Sequence, residues 1–173
     1  MATPRLTDTS YVVLGLVEHM APVTPYALKQ MAAISTTNFW SVPHTQIYTE
    51  CSRLAEAGLL SEEREQTGRR RRIYRLTEAG GRALERWRSD PSPQGFELRD
   101  VATLKLFFGA DPKLLAESQV RAHTTRLENY EQIHAAGAGS PPGWRRALEA
   151  GIGHEREFIR FWTRLAESKP EPQ

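Results

Sequence analysis

The sequence predicts a mainly α-helical protein, with an N-terminal winged helix-turn-helix (three helices plus a β-hairpin wing) and a C-terminal all-α antiparallel helical dimerisation domain. Within residues 41–76, an amphipathic helix precedes two short strands, the second rich in arginine. Beyond them, apolar heptad stripes at 116–134 and 148–162 flank a turn rich in Gly and Pro. The segment 89–95, SDPSPQG, predicts a linker between domains 1–88 and 96–173.

The composition is that of an ordinary soluble protein. Of the 173 residues, 25% are charged and 39% are apolar, which is enough for one or two small domains with real cores. No apolar run approaches the ~18 residues of a membrane span, and the signal-peptide pattern is lacking, so a cytoplasmic location is expected. The single cysteine excludes an internal disulfide and a cysteine-based zinc site, and no metal or other cofactor is expected.

Four helices are predicted in the N-terminal domain. The first covers about 9–19, and the second, at 25–33, follows a threonine N-cap and opens with a proline. The third covers about 43–57 and ends before Gly58, because a glycine in the left-handed conformation commonly caps the C-terminus of a helix. The fourth follows the wing at 77–87. The side chains expected in this core are Val12, Val13, Leu16, Val17, Leu28, Met31, Ile47, Cys51, Leu54 and Leu59.

Two further features of this domain have alternative interpretations. The connector 34–42 contains Phe39 and Trp40, which are expected to seal the three-helix core; the alternative is the wall of a ligand pocket. Cys51 is expected to be a core residue because it shares the inward stripe with Ile47 and Leu54. The alternative for Cys51 is a redox sensor.

The third helix and the wing have the composition of a DNA-binding surface. The opening turn of the helix holds short or planar polar side chains suited to base edges and phosphates, and Arg53 is a candidate phosphate contact. Five arginines fall within 69–75, although the net charge of the chain is only +2. This local positive charge is typical of phosphate contact. The alternative is a solvated strand edge protected by charge.

Three helices are predicted in the C-terminal domain, at about 96–108, 111–136 and 144–166. The last two carry the heptad stripes and form an antiparallel hairpin around the turn 137–143. A single hairpin of this length is too thin to bury both stripes, so a homodimer through this half is expected. The residues assigned to the dimer contact are Val120, Leu127, Leu148, Ile152, Ile159 and Trp162.

Several stretches together resemble the PadR-like winged-helix transcriptional regulators: VLGLVEH, TPYALKQ, HTQIYTECSRLAEAGLL, GRRRRIYRLTEAG and ELRDVATLKLFF. The resemblance covers nearly the whole chain. It implies a dimeric, usually repressing, DNA-binding protein coupled to a small effector, of which phenolic acids are the best-known type. The chain departs from the family's common pattern at Pro25, Pro43, Thr49 and Cys51, which affects where the recognition helix starts.

Residue by residue, the resemblance implies contact with double-stranded DNA. The matched positions are Tyr26, His44, Thr45, Gln46, Tyr48, Gly68, Arg69, Arg70, Arg71 and Arg72. A two-fold dimer places two recognition helices about one turn of DNA apart, so the expected operator is an inverted repeat.

The histidines of the first heptad stripe have two interpretations. His123 and His134 are either packed and hydrogen-bonded, or they line an effector pocket with Tyr130 and Phe107 or titrate at about pH 6.5. Being about 16 Å apart along one helix, they cannot ligate one metal within a chain.

Enzymatic activity is not expected, because the sequence has no Gly-rich phosphate loop and no nucleophile motif. The alternative function is a winged-helix protein-interaction adaptor without specific DNA binding. Glu62, Glu63 and Glu65 on the opposing wing strand favour it, since they would partly neutralise the arginines.

Overall fold

The structure is a computed structural model that describes residues 5–36, 39–40, 42–66, 70–93, 95, 98–137 and 139–168. These residues form α1 (Asp8–Met20), α2 (Pro25–Ile34), α3 (His44–Glu56), β1 (Leu60–Arg64), β2 (Arg72–Leu76), α4 (Glu78–Arg88), α5 (Val101–Phe107), α6 (Pro112–Ala136) and α7 (Pro142–Glu167). The chain divides into two compact units, Met1–Gln94 and Gly95–Gln173, called the N-terminal and C-terminal units below. The predicted fold class is confirmed.

Helix α1 lies at the centre of the N-terminal unit and packs against α2, α3, α4 and β2. Because it has neighbours on several sides, its buried face is wider than a single stripe. Leu14 is fully buried, whereas Val12 is only half-buried. In α2, Ala32 is buried and Met31 is half-buried. The remaining predicted core residues are buried: Val13, Leu16, Val17, Leu28, Ile47, Cys51, Leu54 and Leu59.

Capping side chains set the ends of the helices in this unit. The side chain of Thr24 accepts a hydrogen bond from the backbone N–H of Ala27, as the sequence predicts. The Thr77 hydroxyl accepts from the Gly80 N–H at 3.1 Å and so starts α4. Gly58 follows α3 with φ +72°, the left-handed conformation that glycine adopts without a steric penalty.

The wing is an antiparallel hairpin whose register runs from Leu60 opposite Leu76 to Arg64 opposite Arg72. Val23 extends the sheet by a short bridge: the Val23 N–H donates to the Tyr74 carbonyl at 3.1 Å, and the Tyr74 N–H donates back at 2.8 Å. The second strand begins at Arg72.

The expectation that Phe39 and Trp40 seal the core is wrong. Their side chains are 67% and 45% exposed. The neighbouring Val42 is buried instead, so a smaller aliphatic side chain occupies the interior before α3.

The C-terminal unit is a hairpin of α6 and α7 with the short α5 against α6, which confirms the predicted helical hairpin. Helix α5 starts at Val101, later than predicted, because Asp100 is its N-cap and accepts from the Ala102 N–H at 2.9 Å. Helix α7 starts at Pro142, earlier than predicted, because proline suits the first turn. None of the described helices is long and apolar enough to cross a membrane.

The core of this unit corrects part of the predicted dimer contact. Trp162 is fully buried inside the chain, packed with Ala102 and Ala116 and flanked by half-buried apolar side chains. Ile152 is also buried, at 8% exposure. Since both side chains are covered by their own chain, neither offers surface to a second copy. Val120, Leu127, Leu148 and Ile159 are half-buried.

Candidate nucleic-acid interface

Helix α3 has one apolar face and one polar face. Ile47, Cys51 and Leu54 are completely buried, and Glu50 beside them is buried at 8% exposure. Thr45 and Gln46 are exposed, and Tyr48 is 44% exposed. The described polar side chains of the opening turn are therefore available to base edges and phosphates, as the sequence predicts. His44 is the first residue of this helix.

Tyr26 adds a further exposed hydroxyl at the start of α2. Its side chain is 59% exposed. The hydroxyl oxygen accepts a hydrogen bond from Gln30 Nε2 at 2.8 Å, which leaves the hydroxyl proton available to an acceptor. A phosphate oxygen would be a suitable acceptor.

Arg53, the candidate phosphate contact, is bound by side chains of its own chain. Its Nε donates to Glu50 Oε2 at 2.9 Å, and its Nη2 donates to Glu50 Oε1 at 2.6 Å and to Ser10 Oγ at 2.9 Å. Burial raises the pKa of Glu50, but the hydrogen bonds from Arg53 and Ser10 and the charge of Arg53 outweigh it, so this pKa is lowered. Arg53 thus ties α3 to α1, and a phosphate contact would require it to leave these partners.

Opposite charges alternate across the wing. Arg71 Nε lies 3.4 Å from Glu65 Oε2, and Arg75 Nε lies 3.9 Å from Glu63 Oε2. Arg70 is exposed and has φ +47°, a left-handed conformation that is uncommon for a side chain of this size. Gly68 and Arg69, also predicted to contact DNA, lie outside the described residues.

A second group of charges lies where the wing meets α3, and we call Ser52, Glu62, Arg72 and Tyr74 the wing-base cluster. Tyr74 Oη donates to Glu62 Oε2 at 2.8 Å, and Arg72 Nη1 lies 3.6 Å from the same oxygen. Arg72 Nη1 also donates to Ser52 Oγ at 3.1 Å. The neutralising charge of Glu62 follows from the sequence, but the hydrogen bond from Arg72 to Ser52 does not, because the two residues are 20 positions apart.

The predicted effector residues His123 and Tyr130 are buried in the helical hairpin. His123 Nδ1 lies 2.5 Å from Glu155 Oε2, and Arg126 Nη1 donates to Glu155 Oε1 at 3.2 Å. The Tyr130 ring packs against Gly151, and burial together with the charge of Glu155 raises the pKa of Tyr130. This geometry favours the interpretation of His123 as a packed, hydrogen-bonded histidine.

The other two predicted effector residues are more accessible. His134 Nε2 lies 3.5 Å from Glu149 Oε1, beside an open groove of about 310 Å³ between α6 and α7. Of the four predicted effector residues, His134 alone lines this groove, and Phe107 is 82% exposed. Among the described residues, no three His, Cys, Asp or Glu side chains are grouped so as to hold a metal ion.

Comparison with known proteins gives consistent matches. Residues 13–86 match the family described as "Transcriptional regulator PadR-like family". The "Negative transcriptional regulator PadR" of Bacillus subtilis (strain 168) is 28% identical over 102 residues, which cover 57% of this chain. The chain spans about half the length of that relative, 54%.

Two solved structures show the same fold. Bacillus subtilis PadR in complex with operator DNA superposes with a TM-score of 0.82 at 20% identity, covering 95% of this chain and 100% of that one. Bacillus subtilis PadR in complex with p-coumaric acid superposes with a TM-score of 0.77 at 20% identity, covering 91% and 96% of the two chains.

Proposed function

This chain belongs to the PadR-like transcriptional regulator family, and on that basis we propose that it binds a specific double-stranded DNA operator. The observation that carries the proposal is the polar face of α3, exposed next to an arginine-rich wing. A helix of this kind fits the major groove, and cationic side chains beside it neutralise phosphates.

The exposed residues have distinct roles in this proposal. Gln46 is suited to bidentate pairing with adenine, and the hydroxyls of Tyr26 and Tyr48 are suited to phosphate oxygens. Arg70 and Arg71 displace counterions from the backbone. The sequence-based assignments of His44, Thr45, Gly68 and Arg69 remain part of the proposal, whereas Arg53 is omitted because Glu50 and Ser10 bind it.

We further propose that the protein acts as a homodimer through the C-terminal unit. Val101 and Leu104 on α5 and Phe108, which follows its last residue, recur at helical spacing, and they are 66%, 55% and 77% exposed. We call these side chains, together with Phe107 and Leu114, which are 82% and 79% exposed, the α5 patch. Exposed apolar side chains of this size are typical of a contact surface. A two-fold dimer then requires an inverted-repeat operator.

Repression relieved by a small aromatic effector is the regulatory part of the proposal. Its support is the name of the Bacillus subtilis relative, a negative regulator, and the p-coumaric acid complex of that protein. Such an effector would lower DNA affinity only by its differential affinity for the conformation that does not bind DNA.

Fluorescence anisotropy tests the function directly. The purified protein is titrated onto the DNA upstream of its own gene and onto a shuffled duplex, at two salt concentrations. We expect salt-sensitive binding with preference for the native fragment. Equal binding to both duplexes would contradict operator recognition at that fragment.

A protein-interaction adaptor is the second candidate, because the wing carboxylates do pair with the wing arginines. It predicts no DNA binding at either salt concentration. It also predicts salt-sensitive retention on an acidic polypeptide such as polyglutamate.

A further inference from the structure

The wing-base cluster connects the arginine-rich wing to the helix that carries the base-reading side chains. We propose that Arg72 and Glu62 are positioning residues that fix the wing against α3 and thereby set operator specificity, and that Arg72 is not a phosphate contact. The inference rests on the proposed DNA binding. Arg72 then has a different role from Arg70 and Arg71, with which it was grouped as a DNA contact on the basis of sequence.

The register of the hairpin directs Arg72 toward α3. Arg72 is paired with Arg64, two residues along from the pair of Glu62 and Tyr74. Because side chains two residues apart on a strand share a face, Arg72 lies on the same face as the fully buried Tyr74. Its guanidinium reaches Ser52 Oγ at 3.1 Å.

Ser52 lies on the DNA-facing side of α3. It comes seven residues after Thr45 and four after Tyr48, so these three side chains share one face of the helix. A bond to Ser52 therefore acts on the orientation of that face relative to the wing. A phosphate would have to compete with this bond for Arg72.

Glu62 holds Arg72 in this position. Its carboxylate is fixed independently by Tyr74 Oη at 2.8 Å and by Arg64 Nε at 3.0 Å. Burial raises the pKa of Glu62, but these hydrogen bonds and the charges of Arg72 and Arg64 outweigh burial, so the pKa is lowered overall. The carboxylate is therefore ionised at neutral pH. Because the Glu62 carboxylate is held in place, it favours the orientation in which the Arg72 guanidinium lies beside it over one in which the guanidinium points to solvent.

Glu63 provides a matched control on the other face of the same strand. Its carboxylate lies 3.9 Å from Arg75 Nε and its side chain is 66% exposed. Neutralising Glu62 or Glu63 removes the same charge from the same wing. The two changes differ in that Glu62 belongs to the wing-base cluster.

The experiment compares E62Q, E63Q and S52A in the full chain. Each protein is titrated onto a duplex selected by the wild-type protein from a random pool, and onto a shuffled duplex. E63Q should tighten binding to both duplexes alike, because it removes a negative charge near the phosphates. E62Q should lower the ratio of specific to non-specific affinity by about tenfold, as expected for losing the charge that pairs with Arg72 and accepts a hydrogen bond from Tyr74 Oη. S52A changes no charge and should lower the ratio in the same direction.

Thermal unfolding verifies that the variants are folded, and if E62Q is not, S52A and the salt dependence of R72A decide. R72A should flatten the logarithmic salt slope less than R71A does. The inference is overturned if E62Q and E63Q change the ratio equally, if S52A leaves it unchanged, or if R72A flattens the slope as much as R71A. A wild-type protein that selects no duplex would instead refute the proposed function.

Discussion

Cys51 illustrates how burial makes a reactive side chain inert. Its side chain is fully buried on the inward face of α3, and burial together with the charge of Glu50 raises the pKa of the thiol to about 12. The thiolate, which is the reactive form, is thus disfavoured in the folded state. This supports the interpretation of Cys51 as a core residue.

We therefore expect native Cys51 to resist Ellman's reagent at neutral pH and to react only on unfolding. Because the thiol pKa is raised by folding, its contribution to stability is complete below about pH 9, the ordinary value, and is lost as the pH rises toward 12. Labelling with Ellman's reagent across a urea titration at neutral pH measures the resistance of the native thiol. Rapid stoichiometric labelling without urea would contradict it.

A second prediction at the scale of residues concerns the contribution of the wing arginines to DNA affinity. A variant with both Arg70→Ala and Arg71→Ala should bind all duplexes more weakly, and its logarithmic salt slope should flatten by about 4 for four lost phosphate contacts per dimer. Arg82→Ala is the control, since Arg82 pairs with Glu78 on α4. An unchanged slope in the double variant would exclude these arginines as phosphate contacts.

The residues that sequence analysis placed well are those whose position depends on local periodicity. The stripe of Ile47, Cys51 and Leu54 follows from helical spacing alone. The partners of Arg53 and Arg72 could not be predicted in this way, since Ser10 and Ser52 are distant in sequence. The pairing of Glu155 with His123 likewise depends on the register between two helices.

At the scale of elements, Gly80 fixes how closely α4 approaches the end of α3. A Cβ atom at Gly80 would lie 2.1 Å from the backbone oxygen of Leu59, which cannot move aside as a flexible side chain could. At Gly81 the nearest atom, Leu76 Cδ2, would be 3.8 Å away, an ordinary contact.

Gly80→Ala should therefore destabilise the N-terminal unit by roughly 2 kcal/mol or more. Gly81→Ala should be neutral or stabilising by up to about 1 kcal/mol, because alanine favours the helix. Urea unfolding monitored by circular dichroism measures both. Equal stability of the two variants would mean that α4 shifts away from Leu59 at little cost.

Element boundaries were predicted well where a cap is explicit in the sequence. Thr24, Gly58 and Asp111 mark ends that the structure retains. The start of α5 differs from the prediction because Phe96 and Leu98 continue the apolar pattern, whereas Asp100 accepts hydrogen bonds from the backbone N–H groups of Ala102 and Thr103. Phe39 and Trp40 were misplaced because hydrophobicity alone does not distinguish a core residue from an exposed one.

At the scale of the whole molecule, the α5 patch makes a prediction about assembly. Phe107→Lys should raise the dimer dissociation constant by about tenfold or more, because it places a charge in an apolar contact. Ile133→Lys, at a side chain that is 38% exposed on α6, is the matched control and should remain dimeric. Sedimentation velocity at micromolar concentration measures both.

A wild-type protein that sediments as a monomer would refute the homodimer itself. If instead both variants dissociate equally, the contact extends along α6 and is not confined to the α5 patch. The sequence indicated surplus apolar surface in this half of the chain. The most exposed apolar side chains described in this unit, Phe107, Phe108 and Leu114, lie on α5 or shortly after it, whereas the four stripe residues Val120, Leu127, Leu148 and Ile159 are half-buried.

The buried indole of Trp162 gives the C-terminal unit an optical reporter of its own. Trp162 is completely buried, and its Nε1–H is a buried donor without a hydrogen-bond partner in the described part of the chain. Such an indole emits at short wavelength, while Trp40 and Trp87 are about half exposed and emit further to the red. In a protein with phenylalanine at positions 40, 87 and 144, the wavelength of maximum fluorescence would report the packing around Trp162 alone. A small molecule that loosens this core would then be visible as a red shift, without any DNA in the cuvette.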